Sequence, residues 1–386
     1  MHKLLPVTVL FFILYTFFWI HFFSVNSKPR VPTPNLSGKE NSKQNLSASQ
    51  NILAAGDISN AKNTDLPTNY SIPLPLRKQA FNLSCEFAGA SAIIHYFTND
   101  AEFAPENEES AEEKLVSKIG VSQNPNIGIR MGDILEGDFR TLLKNLNKKF
   151  GGEDYYGVHA PPFIDLFAEY GLLAKPIAKD ENVVFSIQRA ISSGHLVMAW
   201  IKIGYGQAVD AALSYGTIPI IRGEHTVVIN GYDEKGVVLM DPGSGSKRNL
   251  AYDDLLKVSG AFSMPFLEIY LSPSKITLED VYWETSDKAI GIPREKLTIL
   301  VENGSRKFGR GNQLADILRD FGYRVTALKN ADNFDYEDIT IRMKKNVWDY
   351  RYLLQKDLRL ASYIIATISA DLSDDAQDDA IIIVGN

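Results

Sequence analysis

The chain is poor in cysteine, in surplus positive charge and in phosphate-binding glycine motifs. Cys85 is the only cysteine in 386 residues, so an intramolecular disulfide is impossible and a disulfide-stapled scaffold is excluded. The 40 Lys and Arg residues are outnumbered by 47 Asp and Glu, and a net charge of −7 argues against a nucleic-acid-binding protein, which normally carries a basic face. Gly304, Gly309 and Gly311 lack the spacing of a dinucleotide or P-loop motif and are expected to be turn residues.

Long apolar runs are also scarce, and the strongest one stands at residues 4–25. This run of 22 residues contains no Asp, Glu, Lys or Arg. As a helix, it is long enough to span a hydrocarbon core of about 30 Å. A cleaved signal peptide is the alternative, but the run is longer and more aromatic than a signal sequence and ends in a poor cleavage site. We therefore expect an uncleaved single-pass anchor at residues 1–26. The flanking positive charges are nearly balanced and do not fix its orientation.

Residues 27–69 are expected to form a flexible linker. They are rich in Ser, Asn, Lys, Pro and Ala and contain no aromatic residue, so they cannot bury enough surface to fold. The rest of the chain has the length of about two domains, which we place at residues 70–275 and 293–386. Each has its own apolar strands and helices, so the two are expected to fold independently.

Cys85 stands at the point where a polar turn gives way to apolar residues at helical spacing. This predicts that the thiol lies at a helix N-terminus, where the helix dipole favours a thiolate nucleophile. Gln79 lies six residues upstream, close enough to donate its amide to an oxyanion. The alternative is a buried cysteine with a purely structural role.

A catalytic cysteine needs a base, and His225 and Asp241 can supply one. The residues from His225 alternate as a strand, residues 231–236 indicate a hairpin turn, and the second strand ends at Asp241. The hairpin brings Asp241 beside His225, so that the carboxylate accepts from one ring nitrogen while the other faces the thiol. The remaining histidines lack such a partner in the sequence pattern: His2, His21, His95, His159 and His195.

Gln79, Cys85, His225 and Asp241, in this order, resemble the papain-like C39 peptidase family, in particular its stand-alone C39-like members. The Gly231-Tyr232-Asp233 and Asp241-Pro242 motifs match the C-terminal signature of that family, and the resemblance covers about residues 70–272. It implies an α+β papain-like cysteine peptidase domain. The sequence departs from the frequent Cys-Gly-Pro motif at Cys85-Glu86-Phe87, and Glu86 beside the thiol would raise its pKa.

The chain changes character after residue 293. Apolar strands flank a helix at residues 313–321, and the short crossover predicts a parallel pair in a small α/β domain. The Asn303-Gly304-Ser305 turn, the Gly322-Tyr323 step and the motif at residues 330–335 resemble the LytR C-terminal domain of bacterial envelope proteins.

Together these patterns predict a thiol protease, a hydrolase anchored in the cell membrane of a bacterium with its bulk extracytoplasmic. Its expected partners are a peptide or protein substrate, the membrane and an envelope component at the C-terminal domain, with no nucleic acid, metal or cofactor. A non-catalytic binding module that keeps the fold and an acyltransferase that uses the same triad are the alternatives. An amphipathic helix at residues 134–150 and a loop at residues 205–221 beside His225 are also expected.

Overall fold

The computed structural model of the chain describes residues 66–131, 155–276 and 290–386. The predicted anchor at residues 4–25, all but the end of the predicted linker, and the predicted helix at residues 134–150 lie outside these described residues. Within the three described ranges, no helix is both long enough and apolar enough to cross a membrane.

The described residues contain both helices and strands. The helices are α1 Cys85–Thr98, α2 Glu108–Ile119, α3 Pro161–Glu169, α4 Val183–Ser192, α5 Tyr252–Ser259, α6 Arg310–Asp320 and α7 Tyr350–Leu360. The strands are β1 Tyr70–Ser71, β2 Arg130–Met131, β3 Tyr155–Tyr156, β4 Leu172–Pro176, β5 Leu196–Lys202, β6 Ala208–Leu213, β7 Gly216–Ile221, β8 Glu224–Tyr232, β9 Gly236–Asp241, β10 Ser246–Ala251, β11 Phe266–Leu271, β12 Thr298–Asn303, β13 Arg324–Asn330, β14 Ile339–Met343, β15 Ile365–Ser369 and β16 Ala380–Val384.

An antiparallel sheet forms the centre of the first domain, with the strand order β10-β9-β8-β5-β11-β4 and β1 paired to β8. Strand β5 is almost wholly apolar and buried, as expected for a strand covered on both faces. Helix α1 packs closely against the sheet, because a Cβ added to Gly89 would lie 3.2 Å from Val228 Cγ2. The domain predicted to be α+β therefore combines helices with an antiparallel sheet, and the sheet holds the start of α1 beside β8.

Residues 205–221 form a β-hairpin, where the sequence suggested a loop. Strands β6 and β7 pair antiparallel in a sheet of their own, and the hairpin begins and ends beside β5 and β8. Strand β7 contains Pro219, which is tolerated because each strand of a two-stranded sheet is an edge strand. Ala211, Ile218 and Ile220 pack against Tyr156 in a small buried cluster.

The second domain contains a five-stranded sheet with the order β13-β12-β16-β14-β15. The predicted parallel pairing of β12 with β13 across helix α6 is confirmed. Strand β14 runs antiparallel to β16. Helix α7 ends at Leu360, and Ile365 begins the edge strand β15.

The two domains share a buried boundary. Ile127 and Tyr215, which belong to the first domain by sequence, are part of the apolar core of the second. The Tyr215 hydroxyl donates to Asp349 Oδ2 at 2.9 Å and accepts from Asn124 Nδ2 at 3.0 Å. Ser122 Oγ donates to the other oxygen of Asp349 at 2.5 Å. The tip of the β6–β7 hairpin is thus inserted into the second domain.

Candidate active site

Helix α1 begins at Cys85, as the sequence predicted. A tight turn leads into it: Ser84 Oγ donates to the Phe81 carbonyl at 2.8 Å and accepts from the Phe81 N–H at 3.1 Å. The backbone N–H of Cys85 therefore belongs to the first turn of a helix, where such groups lack a partner within the helix. The thiol itself is buried, with 5% of the residue exposed.

His225 and Asp241 lie together on the predicted hairpin. Strands β8 and β9 pair antiparallel, and His225 Nε2 is 2.7 Å from Asp241 Oδ1. The Gly243 N–H also donates to Oδ1, at 2.9 Å, and Arg248 Nη1 donates to Oδ2 at 2.8 Å. The hydrogen bond from His225 lowers the pKa of Asp241 well below its usual range, and the bond from Arg248 lowers it further. Asp241 therefore remains a carboxylate.

Arg248 was missed by the sequence reasoning. It lies on β10, where its backbone pairs with Leu239 of β9, and its guanidinium reaches across to the end of that strand. No motif marks it. The strand at residues 246–251 and its register would have been needed to find it.

Gln79 stands in the segment that precedes the Phe81–Ser84 turn. Its backbone N–H donates to the Pro242 carbonyl at 2.9 Å, which ties this segment to the residue that follows Asp241. Its side-chain Nε2 donates to the Phe81 carbonyl at 2.6 Å. An amide nitrogen carries two hydrogens, so Nε2 can donate to a second acceptor while it keeps this bond to the backbone.

All four residues singled out in the sequence line one cleft. Gln79, Cys85, His225 and Asp241 contribute to the wall of a cavity of about 600 Å³, together with Ile203 from the base of the β6–β7 hairpin. The sequence placed a loop at residues 205–221 beside the histidine, but none of these residues lines the cleft, and Ile203 precedes the segment.

The surroundings of the thiol differ from those expected. Cys85 Sγ donates to Glu86 Oε2 at 3.3 Å and accepts from the Thr226 N–H at 3.4 Å. Among the described residues, these two are its hydrogen-bond partners, and the His225 ring is not one of them. Burial raises the pKa of Cys85 well above its usual value, and the Glu86 and Glu224 carboxyls raise it further. The expectation that the helix start favours the thiolate is therefore wrong for this arrangement.

Glu86 and Glu224 form a close pair next to the sulfur. Glu86 is fully buried, and its Oε1 accepts from the Val158 N–H at 2.5 Å. One donor atom from each of Cys85, Glu86 and Glu224 lies within 4.8 Å of the others. These atoms are near enough to approach one cation, but an ion there would occupy the nucleophile and displace the thiol–Glu86 hydrogen bond. We therefore assign no metal to them.

Three other histidines have hydrogen-bond partners among the described residues, contrary to the sequence-based expectation. His95 Nδ1 lies 3.0 Å from the Asp100 carbonyl oxygen. His159 lies between Asn126 Oδ1 at 2.7 Å and the Tyr156 hydroxyl at 3.0 Å, and burial lowers its pKa to about 4. His195 Nδ1 lies 2.6 Å from Glu268 Oε1. None of the three lines the cleft that contains Cys85. The local pattern revealed hairpin partners but could not reveal partners from distant elements.

The domain combines helices and strands, with a cysteine at a helix start and a histidine–aspartate pair on the adjoining hairpin. This arrangement is typical of proteins with a cysteine-peptidase fold. The model of the Peptidase_C39-like family matches residues 71–263, and the chain belongs to this family. Residues 296–386 match the LytR_C model, described as LytR cell envelope-related transcriptional attenuator. Both resemblances noted in the sequence are thus confirmed.

The comparison with solved structures gives a weaker likeness. A crystal structure described as a C39-like peptidase from Bacillus anthracis has 17% sequence identity and a TM-score of 0.40. The alignment covers 54% of this chain and 100% of that chain. A search of curated proteins finds no match.

Proposed function

We propose that the chain is a membrane-anchored, extracytoplasmic cysteine peptidase that cleaves peptide bonds with Cys85 as nucleophile. The observation that carries the proposal is the 2.7 Å hydrogen bond between His225 and Asp241 in the cleft that also contains the thiol. A buried histidine–carboxylate pair beside a cysteine at a helix start is the arrangement that nucleophilic acyl transfer requires.

The order of proton transfers follows from which ring nitrogen is engaged. Asp241 occupies Nε2 of His225, so Nδ1 is the nitrogen that takes the thiol proton when Cys85 Sγ attacks the peptide carbonyl. His225 then gives this proton to the leaving amine, and a thioester remains on Cys85. Water, deprotonated by His225, hydrolyses the thioester to the free carboxylate and restores the thiol.

The developing oxyanion requires hydrogen-bond donors. The backbone N–H of Cys85, in the first turn of α1, is one candidate. The side chain of Gln79 is the second, through the Nε2 hydrogen that does not bond to the Phe81 carbonyl.

The proposed location in the envelope rests on two separate features. The uncharged apolar run at residues 4–25 is long enough for a membrane anchor. The match of residues 296–386 to the LytR_C model supports a role in the cell envelope. Protease added to spheroplasts should therefore degrade residues 70–386, and protection of these residues would contradict the proposed orientation.

A non-catalytic binding module is the second candidate, and one observation favours it. The thiol is buried and hydrogen-bonded to Glu86, which opposes formation of a thiolate. In such a module the cleft would bind a peptide without cleaving it.

Alkylation of the thiol by iodoacetamide distinguishes the two candidates. If His225 is the base for Cys85, His225→Ala should slow alkylation strongly, and Cys85→Ser should abolish it. His195→Ala is the matched control, because it removes another carboxylate-bound histidine that does not line the cleft. Equal alkylation rates in the wild type and in His225→Ala would favour the binding module.

A further inference from the structure

Two carboxyl groups that the proposed mechanism does not use lie beside the reacting sulfur. Glu86 Oε2 accepts the thiol hydrogen of Cys85 at 3.3 Å. Glu224 directly precedes His225 on β8, and its Oε1 accepts from Thr226 Oγ1 at 3.2 Å. Helix α1 and strand β8 thus each bring one acidic side chain to the same point.

Gly157 provides the space that these carboxyl groups occupy. A Cβ added to this glycine would lie 1.9 Å from Glu86 Oε1 and 2.8 Å from Glu224 Oε2. Any side chain at position 157 would therefore displace at least one of the carboxyls. Oxygens from both residues converge on this one small space, and they are held there by Val158 N–H on one side and Thr226 on the other.

The pair cannot carry two negative charges in this position. Like-charged carboxylates in an enclosed site raise the pKa of one member until it stays protonated. The titratable groups that face the pair are Cys85 from α1, Tyr156 from β3 and His225 from β8. Of these, His225 alone can become positive, and it is already bound to Asp241. One shared proton is thus the simplest charge state at neutral pH.

The hydrogen bonds indicate which carboxyl holds that proton. Both oxygens of Glu86 accept hydrogen bonds, one from Val158 N–H and one from the thiol, so Glu86 is the ionised member. Glu224 accepts on Oε1, while its Oε2 lies at the space beside Gly157 where Glu86 Oε1 also lies. A proton on Glu224 therefore leaves the pair with a single negative charge, on Glu86.

We propose that Glu86 and Glu224 are further functional residues of this site: they share one proton, and Glu86 keeps the Cys85 thiol protonated until the pair takes up a second proton. Glu86 is a catalytic residue in this scheme because it contacts the reacting sulfur, and Glu224 is a positioning residue that acts through Glu86. The proposal rests on the proposed peptidase function.

The steps balance without a further reactant. A proton from solvent converts Glu86 to a carboxylic acid, which removes the negative charge beside the sulfur. The thiol proton then passes to His225, and the electron pair of the broken S–H bond remains on sulfur as the thiolate. A neutral Glu86 can donate a hydrogen bond to this thiolate, so the interaction that held the thiol protonated is reversed.

The test compares the pH dependence of iodoacetamide labelling of Cys85 in the full-length chain in detergent. The pH of half-maximal labelling is the quantity to compare, because a thiolate of lower pKa is also a weaker nucleophile. Glu86→Gln removes the charge next to the sulfur and should lower this pH by at least about one unit, which is a tenfold change in thiolate fraction at a given pH. Glu224→Gln leaves the charge on Glu86 and should not lower it.

Glu268→Gln is the matched control. It removes a hydrogen-bonded carboxylate outside the cleft, next to His195, and should leave the labelling curve unchanged. An unchanged or higher half-labelling pH in Glu86→Gln would overturn the proposal, because Glu86 would then be inert or would itself be the base. A decrease in Glu224→Gln as large as that in Glu86→Gln would overturn the assignment of the charge to Glu86.

Two further measurements separate this proposal from the peptidase function and from misfolding. If Glu86→Gln shifts the labelling curve but His225→Ala does not slow labelling, the carboxyl pair is supported and the peptidase mechanism fails. If His225→Ala slows labelling but Glu86→Gln does not shift the curve, the peptidase mechanism is supported and the carboxyl pair fails. Infrared spectra at neutral pH test the shared proton with the wild type and Glu224→Gln, so this measurement does not depend on whether Glu86→Gln folds. Glu224→Gln should lose carboxylic-acid absorption relative to the wild type, and equal absorption in both would overturn the shared proton.

Discussion

The buried contact between the two domains leads to a prediction about Tyr215. This residue lies at the tip of the β6–β7 hairpin, and its ring meets that of Tyr350 edge-on at a centroid distance of 5.5 Å. Tyr215→Phe keeps the ring but removes a hydroxyl that donates to Asp349 and accepts from Asn124. The bond to the carboxylate contributes about 1.5–3 kcal/mol and the neutral bond about 1 kcal/mol, so a loss of about 2.5–4 kcal/mol is expected.

Urea unfolding of the full-length chain measures this loss as a change in the transition midpoint at constant slope. Tyr205→Phe is the matched control, because Tyr205 lies just before the same hairpin with its side chain fully exposed. Its effect should stay within about 0.5 kcal/mol. In a double-mutant cycle, Tyr215→Phe and Asp349→Ala should be non-additive by about 1–3 kcal/mol, because they remove the same bond.

The same contact bears on whether the domains fold alone. The sequence favoured independent folding of residues 70–275 and 293–386. However, Ile127 and Tyr215 lie in the core of the second domain, so either fragment would expose apolar surface that the whole chain buries. Both fragments should therefore unfold at lower urea concentration than the full-length chain. Fragments as stable as the full chain, with equal effects of Tyr215→Phe and Tyr205→Phe, would refute this reasoning.

Two further predictions concern charged groups near the cleft. Glu112 is buried, which raises its pKa to about 8, and it accepts the Ala80 N–H at 2.9 Å. Between about pH 4.5 and 8 the folded state keeps this proton while the unfolded state has released it, so the free energy of unfolding should fall by up to about 1.4 kcal/mol for each unit by which the pH rises. Glu112→Gln should flatten this slope in urea unfolding, and an unchanged slope would contradict the prediction. Arg248→Ala should lower the free energy of unfolding by less than about 1 kcal/mol, because the arginine is exposed. It should nevertheless raise the pKa of Asp241, so the decrease of Cys85 labelling at low pH should begin at a higher pH. If that decrease does not move, Arg248 has no role at Asp241.

Features that depend on neighbours in the chain could be predicted from the sequence. The β8–β9 hairpin joins His225 to Asp241 because a short turn fixes which residues face each other. The start of α1 at Cys85 and the parallel pairing of β12 with β13 are likewise set by local patterns and a short crossover.

Features that depend on distant elements could not be predicted. Glu86 was correctly suspected of raising the pKa of the thiol, but Glu224 was not connected with it, because only the packing of α1 on β8 makes them neighbours. Tyr215 was placed in a loop because nothing in the local pattern indicates that its hydroxyl is buried against the second domain. The pKa of the Cys85 thiol depends on these long-range contacts. The sequence motif therefore identified the cleft but predicted a thiolate where the structure has a protonated thiol.

Gly157 offers a way to test this packing without relying on any titration. Gly157→Ala would place a methyl group 1.9 Å from Glu86 Oε1, and Glu86 is fully buried and held by Val158 N–H, so it cannot move aside freely. Overpacking of this kind costs about 1–3 kcal/mol. Glu86→Ala removes the atoms in conflict, so adding it to Gly157→Ala should recover about 0.5–3 kcal/mol relative to additive effects. Additive losses in urea unfolding would mean that Glu86 does not occupy the space beside Gly157, and the carboxyl pair would then have no structural basis.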